Sequence, residues 1–265
     1  KKIAILGSTG SIGKTLIELI DKNISHFEIK LLVVNNNIEI LLPQIKRFKV
    51  KNIIVTNHQK FIKIKKILKN KKINVYNNFD NLDKIFKNKK VDYSMSAISG
   101  LQGLDPTLKI IKFSKKIAIA NKESIICAWP LIKKELNKYK TTFVPIDSEH
   151  FSIWELINNS KTKDIDKIFI TASGGPFLNM SFTKTKTITV AQALNHPNWK
   201  MGKKISIDSA TMMNKVFEII EAKKIFDIDY NKLHILIHPK SYVHAIVKFN
   251  NGLTKILIHD TDMKI

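Results

Sequence analysis

Lys2 to Leu6 (KIAIL) runs straight into Gly7-Ser8-Thr9-Gly10-Ser11-Ile12-Gly13, and a helical pattern of Leu16, Ile17, Leu19 and Ile20 follows at once. Few folds accept that succession. In a strand, glycine-rich turn and helix, missing side chains let backbone N–H groups approach a pyrophosphate, and the helix amino terminus favours its charge. The spacing is GxxGxxG, a variant of the dinucleotide fingerprint. Gly13-Lys14-Thr15 looks like the end of an ATPase phosphate loop, but that motif needs a glycine where Ser8 stands. The turn therefore predicts a dinucleotide site. After the second apolar run, Ile29 to Val34, an NAD site would show an acid for the ribose hydroxyls. Here Asn35-Asn36-Asn37 stand instead, and the first acid is Glu39. A 2′-phosphate would not be repelled there, which favours NADP, although no basic residue sits at that turn either.

Apolar strands near Lys2, Ile29, Asn52, Ile73, Tyr93 and Lys116 alternate with helical patterns up to Ile146. That alternation predicts an α/β fold: a Rossmann-like, doubly wound parallel sheet over residues 1–146. An α+β catalytic domain is expected over 147–265, with strands at Ile165–Ala172, His234–Ile237, Ala245–Phe249 and Thr254–Ile258. The last three suggest a sheet that supports the site and pairs two subunits as a homodimer. The formal charge is +23, yet of 45 basic residues only Arg47 is arginine. Base reading and phosphate forks favour arginine. Lysine spread along the chain, as in Lys63 to Lys72, reads as solvated helix faces, so no nucleic-acid partner is expected. No run reaches the roughly 18 apolar residues of a membrane span. The chain opens on a strand, and a cytoplasmic enzyme with no membrane partner is the expectation. The single cysteine, Cys127, excludes an internal disulfide framework and is expected to be a buried apolar residue.

Two acidic motifs carry the chemistry. Thr142 to Ile146 reads as a short strand, and Asp147-Ser148-Glu149 follows at its carboxyl end. Residues i and i+2 of an extended segment point the same way, so Asp147 and Glu149 can converge on one ion. With no thiolates or closely spaced histidines nearby, oxygen ligands point to Mg2+ or Mn2+. The plainer reading is that Asp147 caps a helix starting near Glu149. In Ile205 to Ala222 (ISIDSATMMNKVFEIIEA), a helix beginning at Ser209 would bury a stripe of Met213, Val216, Phe217 and Ile220. It would carry Asn214, Glu218 and Glu221 on another face, with Lys215 beside them. Ser209 would be its N-cap, where backbone N–H groups attract an anion. A phosphorylated substrate and a divalent cation would satisfy both ends; the alternative is an amphipathic helix with a solvated polar face.

Together with ANKES (120–124), ASGGPF (172–177) and HPNWKMGKK (196–204), these motifs resemble the 1-deoxy-D-xylulose 5-phosphate reductoisomerase family along the whole chain. The resemblance implies rearrangement of a small sugar phosphate and its reduction by NADPH to 2-C-methyl-D-erythritol 4-phosphate, a step toward isoprenoid precursors. It implies Asp147, Glu149 and Glu218 as ligands of Mg2+ or Mn2+, with Co2+ a further option, and Glu221 close behind. Ser173, Ser209, Asn214 and Lys215 would hold the substrate phosphate. Ser148, Lys122, Glu149, His196, Trp199 and Glu218 would contact the rest, with Lys122, Glu149 and His196 catalytic. Gly7, Thr9, Gly10, Ser11 and Ile12 would line the cofactor, joined by Asn35, Asn36, Asn37, Asn121, Glu123 and Gly202. The family usually has a glycine and a basic residue where this chain has Asn35 and Asn36. His196 to Lys204 would form a mobile flap. The rival functions are another NADP-dependent two-domain dehydrogenase, which does not explain the acidic pair plus SATMMNK, and a non-enzymatic basic nucleic-acid-binding protein. The chain stops at residues 262–265, directly after Thr254 to Ile258, where the family continues into a C-terminal helical domain. A truncated product, poorly active or unstable alone, is the expectation.

Overall fold

The computed structural model describes the chain except residues 159, 198, 200 and 262–265 and the side chain of Phe182. It separates into two compact units, Lys1–Pro145 and Ile146–Ile265. Unit 1 alternates strands and helices in chain order: β1 Lys2–Leu6, α1 Ser11–Lys22, β2 Glu28–Val34, α2 Ile38–Phe48, β3 Asn52–Val55, α3 His58–Ile67, β4 Asn74–Tyr76, α4 Leu82–Phe86, β5 Val91–Ser96, α5 Leu104–Ile111, β6 Ser114–Ile119, α6 Lys122–Tyr139 and β7 Thr142–Val144. The sheet order is β4-β3-β2-β1-β5-β6-β7, every pairing parallel. Parallel strands flanked by helices are covered on both faces, which is why Ala4, Ile5, Leu6, Leu31 and Leu32 read as continuous apolar runs and are fully buried. Each such isoleucine or leucine contributes roughly 1.5–3 kcal/mol by leaving water. The strand order reverses at β1, between β2 and β5. In open α/β sheets that reversal leaves a ligand-binding crevice at the strand carboxyl ends, and the glycine-rich turn sits there.

The expectation for Cys127 fails, for it is exposed. Pro130 lies inside α6, and the helix kinks at Ala128, with φ −135°. The buried face is Ser124, Ile125, Ala128, Trp129, Ile132 and Leu136, which leaves Cys127 on the other side.

Unit 2 holds α7 Ser148–Leu156, β8 Ile165–Ala172, α8 Val190–Leu194, α9 Lys203–Ala210, α10 Met213–Phe226, β9 Leu233–Ile237, β10 Val243–Phe249 and β11 Thr254–Ile258. Its four-stranded sheet runs β11-β10-β8-β9, with β8 and β9 parallel and the other pairings antiparallel. One face builds the core, where Ile168, Ile170, Ala245 and Val247 pack with Ile153, Ala222 and Phe226 of α7 and α10.

Two expectations for the second acidic motif are corrected here. Ser209 does not cap a helix: it lies in the last turn of α9. Met212 adopts the left-handed conformation, φ 59°, and starts α10 after the break. Residues 203–210 are already helical, so the local N-cap signature at Ser209 falls inside a helix. The expected stripe is not the buried face either. Met213 and Val216 are 41% and 45% exposed and Phe217 and Ile220 only half-buried, while Lys215, Glu218, Glu221 and Ala222 are buried. Charged residues tolerate burial when they neutralise one another and are hydrogen-bonded, and α10 turns its charges inward for that reason.

Candidate active site

In unit 1 the turn after β1 is tied down by its own backbone. The amides of Gly7 and Ser8 donate to Val33 O at 2.8 and 3.2 Å, and that of Gly10 donates to Gly7 O at 3.1 Å. Gly7 has φ 87°, and a Cβ there would lie 2.5 Å from Ala97 O at the end of β5. A Cβ on Gly13 would lie 2.2 Å from Gly7 O, so only glycine lets α1 press onto the turn. Gly10 is the N-cap of α1 and offers no side-chain cap, which leaves the first amides of the helix without a local acceptor. Thr9, Gly10, Ser11 and Ile12 form the accessible rim above the buried Ser8. Ser8 Oγ donates to Gln44 Oε1 at 2.8 Å, and Gln44 Nε2 returns a bond to Ser8 O at 3.0 Å, which locks the turn to α2.

At the neighbouring turn, Asn37 caps α2 by accepting from the Ile40 amide at 3.2 Å, and Asn35 Oδ1 accepts from Thr56 Oγ1 at 3.1 Å. Asn36 is exposed. Asn121 is buried and its side chain serves backbone. Nδ2 donates to Ile98 O and Gly100 O at 2.6 and 2.5 Å, and Oδ1 accepts from the Ser124 amide at 2.9 Å. It therefore holds the turn after β5 beside the crevice. Lys122 and Glu123 open α6 in the same unit.

Unit 2 encloses a cavity of about 530 Å³ lined by Asp147, Ser148, Glu149, Ser173, Trp199, Ser209, Asn214, Lys215 and Glu218, among others. Carboxylate oxygens of Asp147, Glu149 and Glu218 all lie within 4.8 Å of one another. Their convergence does not come from an extended segment. Asp147 is the N-cap of α7 and accepts from the Glu149 amide at 3.3 Å, while Glu149 already lies in the first helical turn. The residue that caps α7 is thus also one of the three converging carboxylates. Ser148 Oγ donates to Glu149 Oε2 at 2.6 Å, and Asn214 Nδ2 donates to Glu218 Oε1. Lys215 Nζ lies 2.8 Å from Glu149 Oε1 and 2.6 Å from Glu218 Oε2. Burial alone would push this ammonium down, but the two carboxylates outweigh it and hold its pKa above the ordinary lysine value. Glu221 is also buried but is not one of the three converging acids.

His196 is buried behind the lining residues Ser173 and Trp199 and does not itself line the cavity; its ring lies tilted against Trp199 with ring centroids 4.9 Å apart. Its Nδ1 accepts the Trp199 amide at 3.3 Å, so the neutral ring carries its proton on Nε2, 3.3 Å from Ser173 Oγ. Burial pushes the His196 pKa down, which favours that neutral form. The Trp199 indole donates to Thr261 O at 3.2 Å. Of the expected flap, Lys203 and Lys204 belong to α9, Gly202 is its N-cap, and residues 198 and 200 lie outside the described residues, as do residues 262–265. Gly202 does not line the carboxylate cavity.

Sequence reasoning missed His150 and His244. His150 is buried, its Nδ1 lies 3.2 Å from Asp147 Oδ1 and its Nε2 meets Glu218 O at 2.9 Å, so one ring ties the start of α7 to α10 beside the converging carboxylates. The signal was present as the i, i+3 spacing from Asp147. His244, buried on β10 and lining the cavity, is brought there only by the sheet register.

A dinucleotide-type turn in unit 1 and a carboxylate pocket beside hydroxyls, an amide and an ammonium in unit 2 are the parts that a metal-assisted, dinucleotide-dependent oxidoreductase requires. The profile of 1-deoxy-D-xylulose 5-phosphate reductoisomerase matches residues 3–129, and that of the same enzyme's C-terminal domain matches residues 143–226. The reductoisomerase of Pelagibacter ubique is 65% identical over the whole of this chain, which spans 69% of that relative. The solved Zymomonas mobilis enzyme in complex with NADPH superposes with a TM-score of 0.88 at 35% identity, covering 99% of this chain and 68% of its own. A solved reductoisomerase in complex with NADPH, fosmidomycin and magnesium gives 0.88 at 34% identity, covering 100% of this chain and 67% of its own. The chain belongs to the 1-deoxy-D-xylulose 5-phosphate reductoisomerase family.

Proposed function

We propose that this chain carries the residues with which the family isomerises 1-deoxy-D-xylulose 5-phosphate and reduces the product with NADPH, in the roles set out here. The observation that carries the assignment is the triad Asp147, Glu149 and Glu218, whose oxygens lie within 4.8 Å. All-oxygen donors of high negative charge suit a hard divalent ion, Mg2+ or Mn2+, and the glycine-shaped turn suits a pyrophosphate. When bound, the ion supplies Lewis acidity to a carbonyl and its neighbouring hydroxyl, and NADPH supplies the hydride.

The chain's own groups do the rest. Ser173, Ser209, Asn214 and Lys215 line one cavity with the triad and would anchor the substrate phosphate, turning remote binding into orientation at the reacting carbons. His196, neutral and presenting Nε2–H, donates a hydrogen bond rather than a charge. Trp199, packed on His196, excludes water. Ser148 fixes the Glu149 carboxylate, and Lys122, at the start of α6, would add positive charge where negative charge develops. Gly7, Thr9, Gly10, Ser11 and Ile12 would line the pyrophosphate, and Asn35 to Asn37 with Glu123 would edge the cofactor. NADPH oxidation in the presence of deoxyxylulose phosphate, with and without Mg2+, tests the whole reading. Lys215→Ala should weaken substrate binding by about 1.5–3 kcal/mol, the scale of a charge-assisted hydrogen bond. The NADPH Kd should hardly move, and the reverse pattern would overturn the phosphate assignment.

The active species is proposed to be a homodimer paired through the outer sheet face of unit 2. Register aligns Ile256, Ile246, Phe169 and His234 across that face, and Ile256 is half-exposed. Light scattering of the whole chain, with Ile256→Lys as the disrupting variant, decides it. Among the described residues no helix is long and apolar enough to cross a membrane. A cytoplasmic site of action suits a chain with one cysteine. The lysine excess belongs to exposed faces, several paired with acids as in Lys112–Asp83 and Lys115–Asp92, which supports solvation over nucleic-acid binding. A salt-dependent gel shift would contradict that.

A further inference from the structure

The carboxylate triad of unit 2 already holds a cation of the chain's own. Lys215 Nζ bridges Glu149 and Glu218 at 2.8 and 2.6 Å, and its side chain is almost fully buried. Three carboxylates against one ammonium leave two negative charges, which a divalent ion matches. The ion and the ammonium, however, seek the same two carboxylates, Glu149 and Glu218, and like charges drawn to one spot repel. We infer that Lys215 is an internal counter-cation that alternates between the triad and an anion: a divalent ion displaces its ammonium, which turns to the phosphate end of the cavity. Ion and anion then bind cooperatively through one side chain. This deepens the reading above and rests on it.

The surroundings fit such an exchange. Ser209 and Asn214 line the same cavity as Lys215, whose four-carbon stem is flexible. The carboxylates do not depend on Lys215 for their placement. Asn214 holds Glu218, Ser148 holds Glu149, and His150 braces Asp147 against the α10 backbone. The Lys215 amide stays bonded to Met212 O at 3.0 Å, so the exchange needs only side-chain rotation. A ligand that favours one of two arrangements shifts the pair toward it, and the coupling is reciprocal.

The test is Mn2+ binding to the whole chain, followed by electron paramagnetic resonance with no sugar substrate and no NADPH. It is repeated with saturating inorganic phosphate as the anion. Wild type should bind Mn2+ about tenfold more tightly with phosphate than without, a coupling of ordinary size. Lys215→Met, which keeps the stem and deletes the charge, should bind Mn2+ at least about tenfold more tightly than wild type without phosphate, and should no longer respond to phosphate. Lys215→Gln provides a second variant where the first fails to fold. Mn2+ affinity in the folded lysine variants equal to or weaker than wild type, or a phosphate response that persists in them, would overturn the inference. Glu149→Gln and Glu218→Gln separate the two levels. Loss of Mn2+ binding there supports the triad whatever the lysine variants do, whereas wild-type affinity would remove the metal site and the exchange together.

Discussion

The two candidate sites of this chain are made by opposite means. In unit 1 the turn between β1 and α1 is shaped by missing side chains: at Gly7 and Gly13 a single added carbon would meet backbone oxygen at 2.5 and 2.2 Å. In unit 2 the site is shaped by charged side chains taken out of water. Lys215 and Glu218 are buried on a helix whose apolar residues Met213 and Val216 face outward. One region should therefore be most fragile to added volume and only weakly sensitive to charge, and the other most fragile to lost charge even where shape is kept.

The largest effect expected from that contrast is at Glu218. Glu218→Gln keeps the shape and the contact with Asn214 in reach but removes a charge from the triad. Turnover at limiting Mn2+ should fall by more than the roughly hundredfold seen when groups supporting a metal's ligands are lost. The circular dichroism spectrum and the NADPH Kd should stay as in wild type. Near-normal turnover would break the comparison, because charge would then not be what the second region depends on.

Next in size is the paired test in the turn. Gly13→Ala forces a Cβ into the Gly7 carbonyl and should cost about 1–3 kcal/mol of stability, the scale of overpacking a rigid site. NADPH binding should weaken and Mn2+ affinity should not change. Gly10→Ala is the control: its φ of −75° suits alanine and the nearest atom is 3.4 Å away, so stability should stay within about 0.5 kcal/mol. Equal losses at both positions would show that the turn responds to composition and not to contact.

The same contrast explains what the sequence disclosed. The parallel sheet was legible because buried strands such as β2 are continuous apolar runs, and the glycine turn because its residues are contiguous and its context is fixed by β1 and α1. In unit 2 the strand limits were legible too, from β8 through β11. The acids were nameable as residues, but the path by which Asp147 and Glu149 converge was not, because a cap and the first helical turn replaced the extended geometry assumed for them. The buried face of the helix carrying Lys215 was not legible, since amphipathic periodicity assigns apolar residues to the core and has no term for charges that neutralise one another there. Cys127 was misplaced for a related reason: Pro130 kinks α6, and the face assignment depends on that kink. His244 gave no local signal, because only strand pairing brings it to the cavity.

A smaller effect is expected where an exposed side chain adjusts the first region without reshaping it. Asn36 is exposed at the turn after β2, and no acid stands there until Glu39. NADPH should be preferred over NADH by wild type. Asn36→Lys should sharpen that preference by about 0.2–1 kcal/mol, the range of an exposed ion pair, seen as up to a fivefold rise in the ratio of kcat/KM values. Equal use of both cofactors by wild type would show that the absence of an acid at this turn does not select.

The smallest expected effect concerns the neutral member of the second region. Burial lowers the His196 pKa below the ordinary 6.5, so the folded chain binds this proton less readily than the unfolded chain. The contribution to stability is then fully present above the unfolded value. It falls as pH drops below about 6.5 and is gone once pH lies under the lowered folded value. Urea midpoints measured from pH 7.5 down to 5 should decline in wild type. The decline should be shallower in His196→Gln, which keeps polarity and cannot titrate. Protonation would also give Nδ1 a proton and cost the bond it accepts from the Trp199 amide, so Trp199 fluorescence should change over the same pH window. Parallel pH profiles for the two proteins would mean that His196 is not held neutral, and that the second region's sensitivity to charge stops at the triad and Lys215.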